Sequence, residues 1–232
     1  MSMKNLDVFI SGEVMNLCIP TEEFAKESKW YSWFNNLKIT RFLEQGMFPN
    51  THEDQVEFYR TEQSDRLMLI ISNKKEYMGI ISLANINLVK KKCDVAIVMD
   101  GSVDKQLSPY ISLEAMARIT EHAFHAMGIN RIEAGQHIKL RGWQQRMELI
   151  GYKLEGLHKN KFIKAHEVSA SVSIACLYDD FQDIVNHRGC IWDSMKNMKM
   201  RYKQLPQKAF VDMLNDFYEK ERDDYYKQVF SL

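Results

Sequence analysis

The chain has 232 residues, 45% of them apolar and 27% charged, which is enough to bury a sizeable core and excludes an intrinsically disordered chain. Its 31 basic and 31 acidic residues give zero formal net charge, a poor balance for a nucleic-acid or membrane-surface binder. Cys18, Cys93, Cys176 and Cys190 are widely spaced with no Cys-x-x-Cys pair, the start of the chain lacks a signal-peptide core, and no apolar run approaches the roughly 18 residues of a membrane span, so a cytoplasmic protein without disulfides or metal is expected.

In chain order, residues 22–62 read as helical and aromatic-rich, with Trp30, Trp33, Phe34, Phe42, Phe48, Phe58 and Tyr59. Residues 67–71 and 77–81 are apolar runs separated by a polar turn, which predicts a hairpin of buried strands. Three lysines, Lys90 to Lys92, form a solvated break before a third strand at 95–99. Leu113, Met116, Ala117, Thr120, Phe124 and Met127 then recur at helical spacing up to Gly128. A strand at 131–134, a helix at 143–150 closed by Gly151, and a cleanly alternating strand at 168–174 follow. Beyond Asp179 the pattern is helical again, and Phe210, Met213, Leu214, Phe217, Tyr225, Tyr226, Val229 and Phe230 form apolar stripes. The expected fold is α+β, a mixed, mostly antiparallel twisted sheet flanked by helices. A main domain at 1–180 carries a helical extension at 181–232, which packs on it or makes a homo-oligomer interface.

Three segments in order resemble the GNAT superfamily of acetyl-coenzyme A-dependent N-acetyltransferases. They are the strand, loop and helix from Asp94 to Ala115, the helix-to-strand junction from Ala123 to Gly135, and Glu148-Leu149-Ile150-Gly151-Tyr152-Lys153-Leu154-Glu155-Gly156. The resemblance spans residues 8 to 180. It implies acetyl-coenzyme A as cosubstrate, held by Ile97, Val98 and Met99 of the strand and by Lys105, Gln106, Leu107, Ser108, Tyr110, Ile111 and Ser112 of the loop and helix start. Where the family's loop has two glycines this chain has Ser108 and Tyr110, Pro109 between them removes another donor, and Met147 stands where the family often has a tyrosine acid.

Residues 27–59 resemble the acceptor-side segment of GNAT enzymes that acetylate nucleotide-linked amino sugars, and more loosely that of ribosomal-protein N-terminal acetyltransferases. That implies a small-molecule amine acceptor, a sugar nucleotide in surface-polysaccharide synthesis, near Trp33, Asn35, Asn50 and Thr51. A protein N-terminus is the alternative acceptor, and a non-catalytic partner-binding module the alternative class. Acetyl transfer needs a neutral amine and a protonated or tolerated thiolate. The candidates are Asp94, which opens the central strand, His137, which ends the next one, and Tyr110 as a proton donor; His122 and His125 read as surface residues.

Overall fold

The computed structural model describes residues 5–100 and 107–232. Eight strands form one sheet in the order β1-β2-β3-β4-β5-β6-β8-β7: β1 (Val8–Ser11), β2 (Asn16–Cys18), β3 (Leu67–Ser72), β4 (Tyr77–Asn87), β5 (Lys92–Met99), β6 (Arg131–His137), β7 (Lys153–Lys164) and β8 (Glu167–Leu177). Every neighbouring pair is antiparallel except β5 and β6, which run parallel and pair over three positions only, Lys92 with Arg131, Cys93 with Ile132 and Asp94 with Glu133. Past Asp94 and Glu133 the two strands part while each stays paired to its outer neighbour. The sheet is therefore split by a wedge.

Both faces of the sheet are covered, which is why β3 and the start of β4 read as unbroken apolar runs rather than alternating ones. On one face lie α4 (Ser108–His125) and α5 (Arg141–Glu148). Twelve residues of α4 are buried, and Leu113, Ile119 and Phe124 each contribute about 1.5–3 kcal/mol by leaving water. On the other face lie α1 (Glu22–Glu27), α2 (Trp30–Trp33), a 3-10 turn (Thr40–Phe42) and α3 (His52–Glu62). Strand alternation divides the core accordingly: Leu69, Ile71, Ile81 and Leu83 join the α4 cluster, whereas Met68, Ile70 and Ile80 join Phe24, Trp30 and Trp33.

Glu114 is fully buried in α4, and its carboxylate accepts the backbone N–H groups of Glu13 (2.5 Å) and Val14 (2.7 Å), with Arg118 at 3.5 Å. It ties the central helix to the turn between β1 and β2. The C-terminal helices are α6 (Tyr178–Arg188), α7 (Met195–Gln204), α8 (Phe210–Phe217) and α9 (Asp223–Phe230), the last two joined by a π-helical stretch. Phe181, Ile191, Trp192 and Met198 belong to the α4 cluster, so the first half of the expected extension is core. Val211 packs with Leu157 and Val172 in a smaller cluster, while Phe210, Met213, Phe217 and Phe230 stay exposed.

Two regions differ from the sequence expectation. The helical region 22–62, expected as two helices and a polar turn, is instead α1, α2, a 3-10 turn and α3; the extended Ser28 ends α1, and Gly46 (φ +85°), Pro49 and the Thr51 cap separate the 3-10 turn from α3. Strands β1, β2 and β7 are absent from that expectation: β1 and β7 are the two edges of the sheet, where β7 exposes most of its polar side chains to water, and β2, three residues long, is too short to show a period.

Candidate functional site

A cavity of about 560 Å³ lies on the α1–α3 face against β5, one of the two strands that part at the wedge. Ala96 and Val98 of β5 and Ile80 and Ser82 of β4 form its floor. Phe34, Phe58 and the segment 44–50 form its walls, with Glu44, Asp54 and Arg66 as its charged lining residues. Asp94 lies on the same face of β5, two residues before Ala96. Its Oδ2 accepts from the Asn85 amide at 2.6 Å, and its other oxygen makes no hydrogen bond among the described residues.

Local contacts hold the walls. Asn35 clamps the backbone of residue 50, accepting its N–H at 2.6 Å and donating to its carbonyl at 2.7 Å. Asn50 in turn donates to the Tyr31 carbonyl (3.3 Å) and to Gln55 Oε1 (3.1 Å), and it lines the cavity. Thr51 and Asp54 form a capping box at the start of α3, with the Thr51 hydroxyl 2.8 Å from Asp54 Oδ2. From the far side of the wedge, Lys164 at the end of β7 donates to the carbonyls of Thr40 (2.6 Å), Leu43 (3.0 Å) and Gln45 (2.6 Å), and its partial burial lowers its pKa. The cavity wall is thus anchored to both halves of the split sheet. Nothing in the sequence around Lys164 marks it, since its partners are more than a hundred residues away.

The residues singled out in the sequence are placed unevenly. Asn50 lines the cavity; Asn35 and Thr51 hold its wall through the bonds above. Trp33 is buried in the second core cluster rather than facing the cavity. His137 is 1% exposed, with the Phe42 and Phe162 rings each 4.5 Å away. Its Nδ1 accepts the Lys139 N–H at 3.1 Å, which leaves the proton on Nε2, 3.5 Å from Glu167 Oε1. Burial lowers its pKa against the opposing pull of Glu167, so the ring stays neutral and has no lone pair open to an incoming amine. Tyr152 is core: its hydroxyl bonds Thr120 at 2.8 Å, and burial raises its pKa far above the ordinary phenol value.

Of the three β5 residues expected to hold the coenzyme, Val98 faces the cavity on the α1–α3 side while Ile97 and Met99 pack against the α4 cluster. Lys105 and Gln106 lie outside the described residues. Leu107 precedes α4; the backbone N–H groups of Tyr110 and Ile111 both go to its carbonyl, and the Ser112 side chain caps back to Ser108. Met147, where the resemblance puts a tyrosine, is buried core. Two fully or partly buried amides that the sequence reading passed over face each other here. Gln136 of β6 donates to Gln144 of α5 at 2.5 Å, leaving Gln136 Oε1 buried without a partner among the described residues. Among the described residues no group of three His, Cys, Asp or Glu side chains could hold a metal ion, and no helix is long and apolar enough to cross a membrane.

No protein-family model matches the sequence, and no curated protein matches it. Solved structures do. A ribosomal L7/L12 alpha-N-protein acetyltransferase in complex with coenzyme A matches with a TM-score of 0.66 at 14% identity over 75% of this chain and 99% of that one. The spermidine N-acetyltransferase of Vibrio cholerae, in complex with coenzyme A and spermine, matches with a TM-score of 0.63 at 13% identity over 73% and 98%. This chain has the GNAT acetyltransferase fold. A microcin C7 self-immunity acetyltransferase in complex with acetyl-coenzyme A and AMP shares the GNAT architecture at a TM-score of 0.58 and 18% identity, over 72% of this chain and 93% of that one. These GNAT structures are matched almost end to end and leave about a quarter of this chain without a counterpart.

Proposed function

We propose that the chain is an acetyl-coenzyme A-dependent N-acetyltransferase. The observation that carries this reading is the wedge between β5 and β6, with a walled cavity against β5 on one face of the sheet and α4 on the other. Beyond Asp94 and Glu133, the inner edges of both strands have no partner strand, and unpaired strand edges suit a ligand with amides of its own. The pantetheine arm of the coenzyme has two such amides, and the buried, unpartnered Gln136 Oε1 offers an acceptor for one of them. Ile97, Val98 and Met99 would hold the arm through their backbone, and Leu107, Ser108 and Tyr110 would lie at its phosphate end. When bound, the coenzyme supplies an activated acetyl thioester.

The chain's own part is to seat an amine in the cavity and relieve it of a proton. In the direct transfer, a C–N bond forms as the C–S bond breaks, the amine's proton leaves, and the thiolate takes one up. Asp94, with one carboxylate oxygen free on the cavity face, is our candidate to accept that proton, directly or through a water. Two acceptor classes remain in play. The lining favours a protein N-terminus with an apolar first side chain, because Phe34, Met47, Phe48, Phe58 and Met68 dominate it. A nucleotide-linked amino sugar is favoured by Asn50, Gln55 and Ser82, which can bond hydroxyls beside aromatic rings. Its diphosphate, however, would meet Glu44 and Asp54 with Arg66 as the only cation among the described lining residues, and Arg66 is already paired to Glu62 at 3.0 Å.

The test is coenzyme release from acetyl-coenzyme A with N-terminal peptides, polyamines and nucleotide-linked 3- or 4-amino sugars. Faster turnover on peptides is expected, and faster turnover on sugars would reverse the acceptor assignment. No acetyl transfer to any of the three, from a protein that binds acetyl-coenzyme A, would leave the non-catalytic module as the better reading.

A further inference from the structure

The start of α4 is poorly equipped to hold phosphates through its backbone. Pro109 has no N–H, the N–H groups of Tyr110 and Ile111 are spent on the Leu107 carbonyl, and the glycines that would open the backbone to a pyrophosphate are Ser108 and Tyr110. Two cations converge at this same turn. The Arg146 guanidinium of α5 lies 5.7 Å from the centre of the Tyr110 ring, and the Lys199 ammonium of α7 lies 5.2 Å from it. Tyr110 is 8% exposed, yet its hydroxyl makes no hydrogen bond among the described residues.

Among the described residues neither cation has a carboxylate partner, although many of the other basic side chains are paired; Arg201, on the same helix as Lys199, is held by Asp193 at 2.6 Å. Among the described residues the Arg146 side chain makes one hydrogen bond, to the Gly142 carbonyl, stacks on Tyr202 at 4.2 Å, and leaves its Nε buried without a partner. The ring faces attract both cations, but two like charges at the positive end of a helix dipole still repel, and an anion among them would relieve that repulsion.

We propose that Arg146 and Lys199, with the Tyr110 hydroxyl, bind the phosphates of coenzyme A in place of the backbone donors that Pro109, Tyr110 and Ile111 do not offer. This rests on the acetyltransferase reading above. Lys199 lies in the part of the chain that follows the sheet, so α7 is a component of the cofactor site as well as a packing element. Its fully buried Met198 and the bonds from Trp192 Nε1 (3.0 Å) and the Met195 N–H (2.8 Å) to Glu13 Oε2 fix α7 against the body, which holds Lys199 beside Tyr110 before any ligand arrives.

The experiment is isothermal titration of the full chain with coenzyme A at about 0.05 M and about 0.5 M salt, for the wild type, Arg146→Met, Lys199→Met and Lys199→Arg, with thermal melts of each unliganded protein. Each methionine variant should weaken binding by about tenfold or more at low salt, as loss of a charge-assisted bond to phosphate does. Lys199→Arg should stay within about threefold of the wild type, and the salt dependence should shrink in the methionine variants. The proposal is overturned if Lys199→Met binds coenzyme A as tightly as the wild type with the same salt dependence, which leaves the acetyltransferase reading standing. It is overturned too if Lys199→Arg is as weak as Lys199→Met, since charge would then not be what matters. A wild-type protein that does not bind coenzyme A at all overturns both the proposal and the reading beneath it.

Discussion

The two faces of the split sheet are built on different principles. The α4 face is a continuous buried layer, with the largest core cluster, an 18-residue helix and a buried carboxylate tying that helix to the first turn of the sheet. The α1–α3 face is assembled from helices of 4 to 11 residues and a loop, leaves a cavity, and is held by side-chain bonds to backbone carbonyls. The first arrangement sets where β5 and β6 diverge and resists change. The second can vary its lining without disturbing the strands, which suits the side of the molecule that chooses the acceptor.

The hardest blow to this contrast would come from the dense face. Glu114→Ala leaves the N–H groups of Glu13 and Val14 and the Arg118 guanidinium without their acceptor, and should cost about 3–5 kcal/mol in urea denaturation. A loss below about 1 kcal/mol would mean that the helix and the β1–β2 turn are not coupled as described. On the loop face, Lys164→Met removes the donor to three carbonyls and should cost about 1–3 kcal/mol, because those oxygens can turn to water. It should also raise KM for the acceptor with coenzyme A affinity unchanged; an unaltered KM would detach the loop from acceptor binding.

A smaller effect concerns His137 between the two halves. Its folded-state pKa lies below the unfolded value, so the unfolded chain binds more protons as pH falls through about 6.5 and stability drops with it. Replacing it with Asn should flatten the stability profile between about pH 7 and pH 5, measured by denaturation at each pH. A slope identical to the wild type would assign the acid sensitivity to another group, such as His122, whose pKa burial also lowers. Smallest of all, Phe48→Ala at a side chain 82% exposed should shift stability by less than about 0.5 kcal/mol while weakening acceptor binding. A stability loss above about 1 kcal/mol would return Phe48 to the fold and away from the site.

Local pattern made the central elements legible. The apolar runs of β3 and β4, the helical spacing of α4 and the alternation of β8 all reflect burial on defined faces, and burial leaves its period in the sequence. The short helices around Gly46 and Pro49 and the edge strands left weak traces, because turn chemistry and water rather than periodic burial shape them. The site was legible only in part. Asn50 could be singled out as a polar group between aromatic stretches, but Trp33 follows the same composition into the core.

By itself, the amino-acid sequence determined the α+β class, the order of the central strands and helices, and the absence of glycine from residues 102–112 at the start of α4. Those properties follow from hydrophobic period and backbone chemistry, which act over a few neighbouring residues. Only the tertiary structure decided that β5 and β6 part after three paired positions, that Lys164 reaches back across more than a hundred residues to hold the cavity wall, and that Arg146 and Lys199 meet at Tyr110. These are pairings between segments far apart along the chain, and each is set by which faces must be buried together, a constraint that no local stretch of residues expresses.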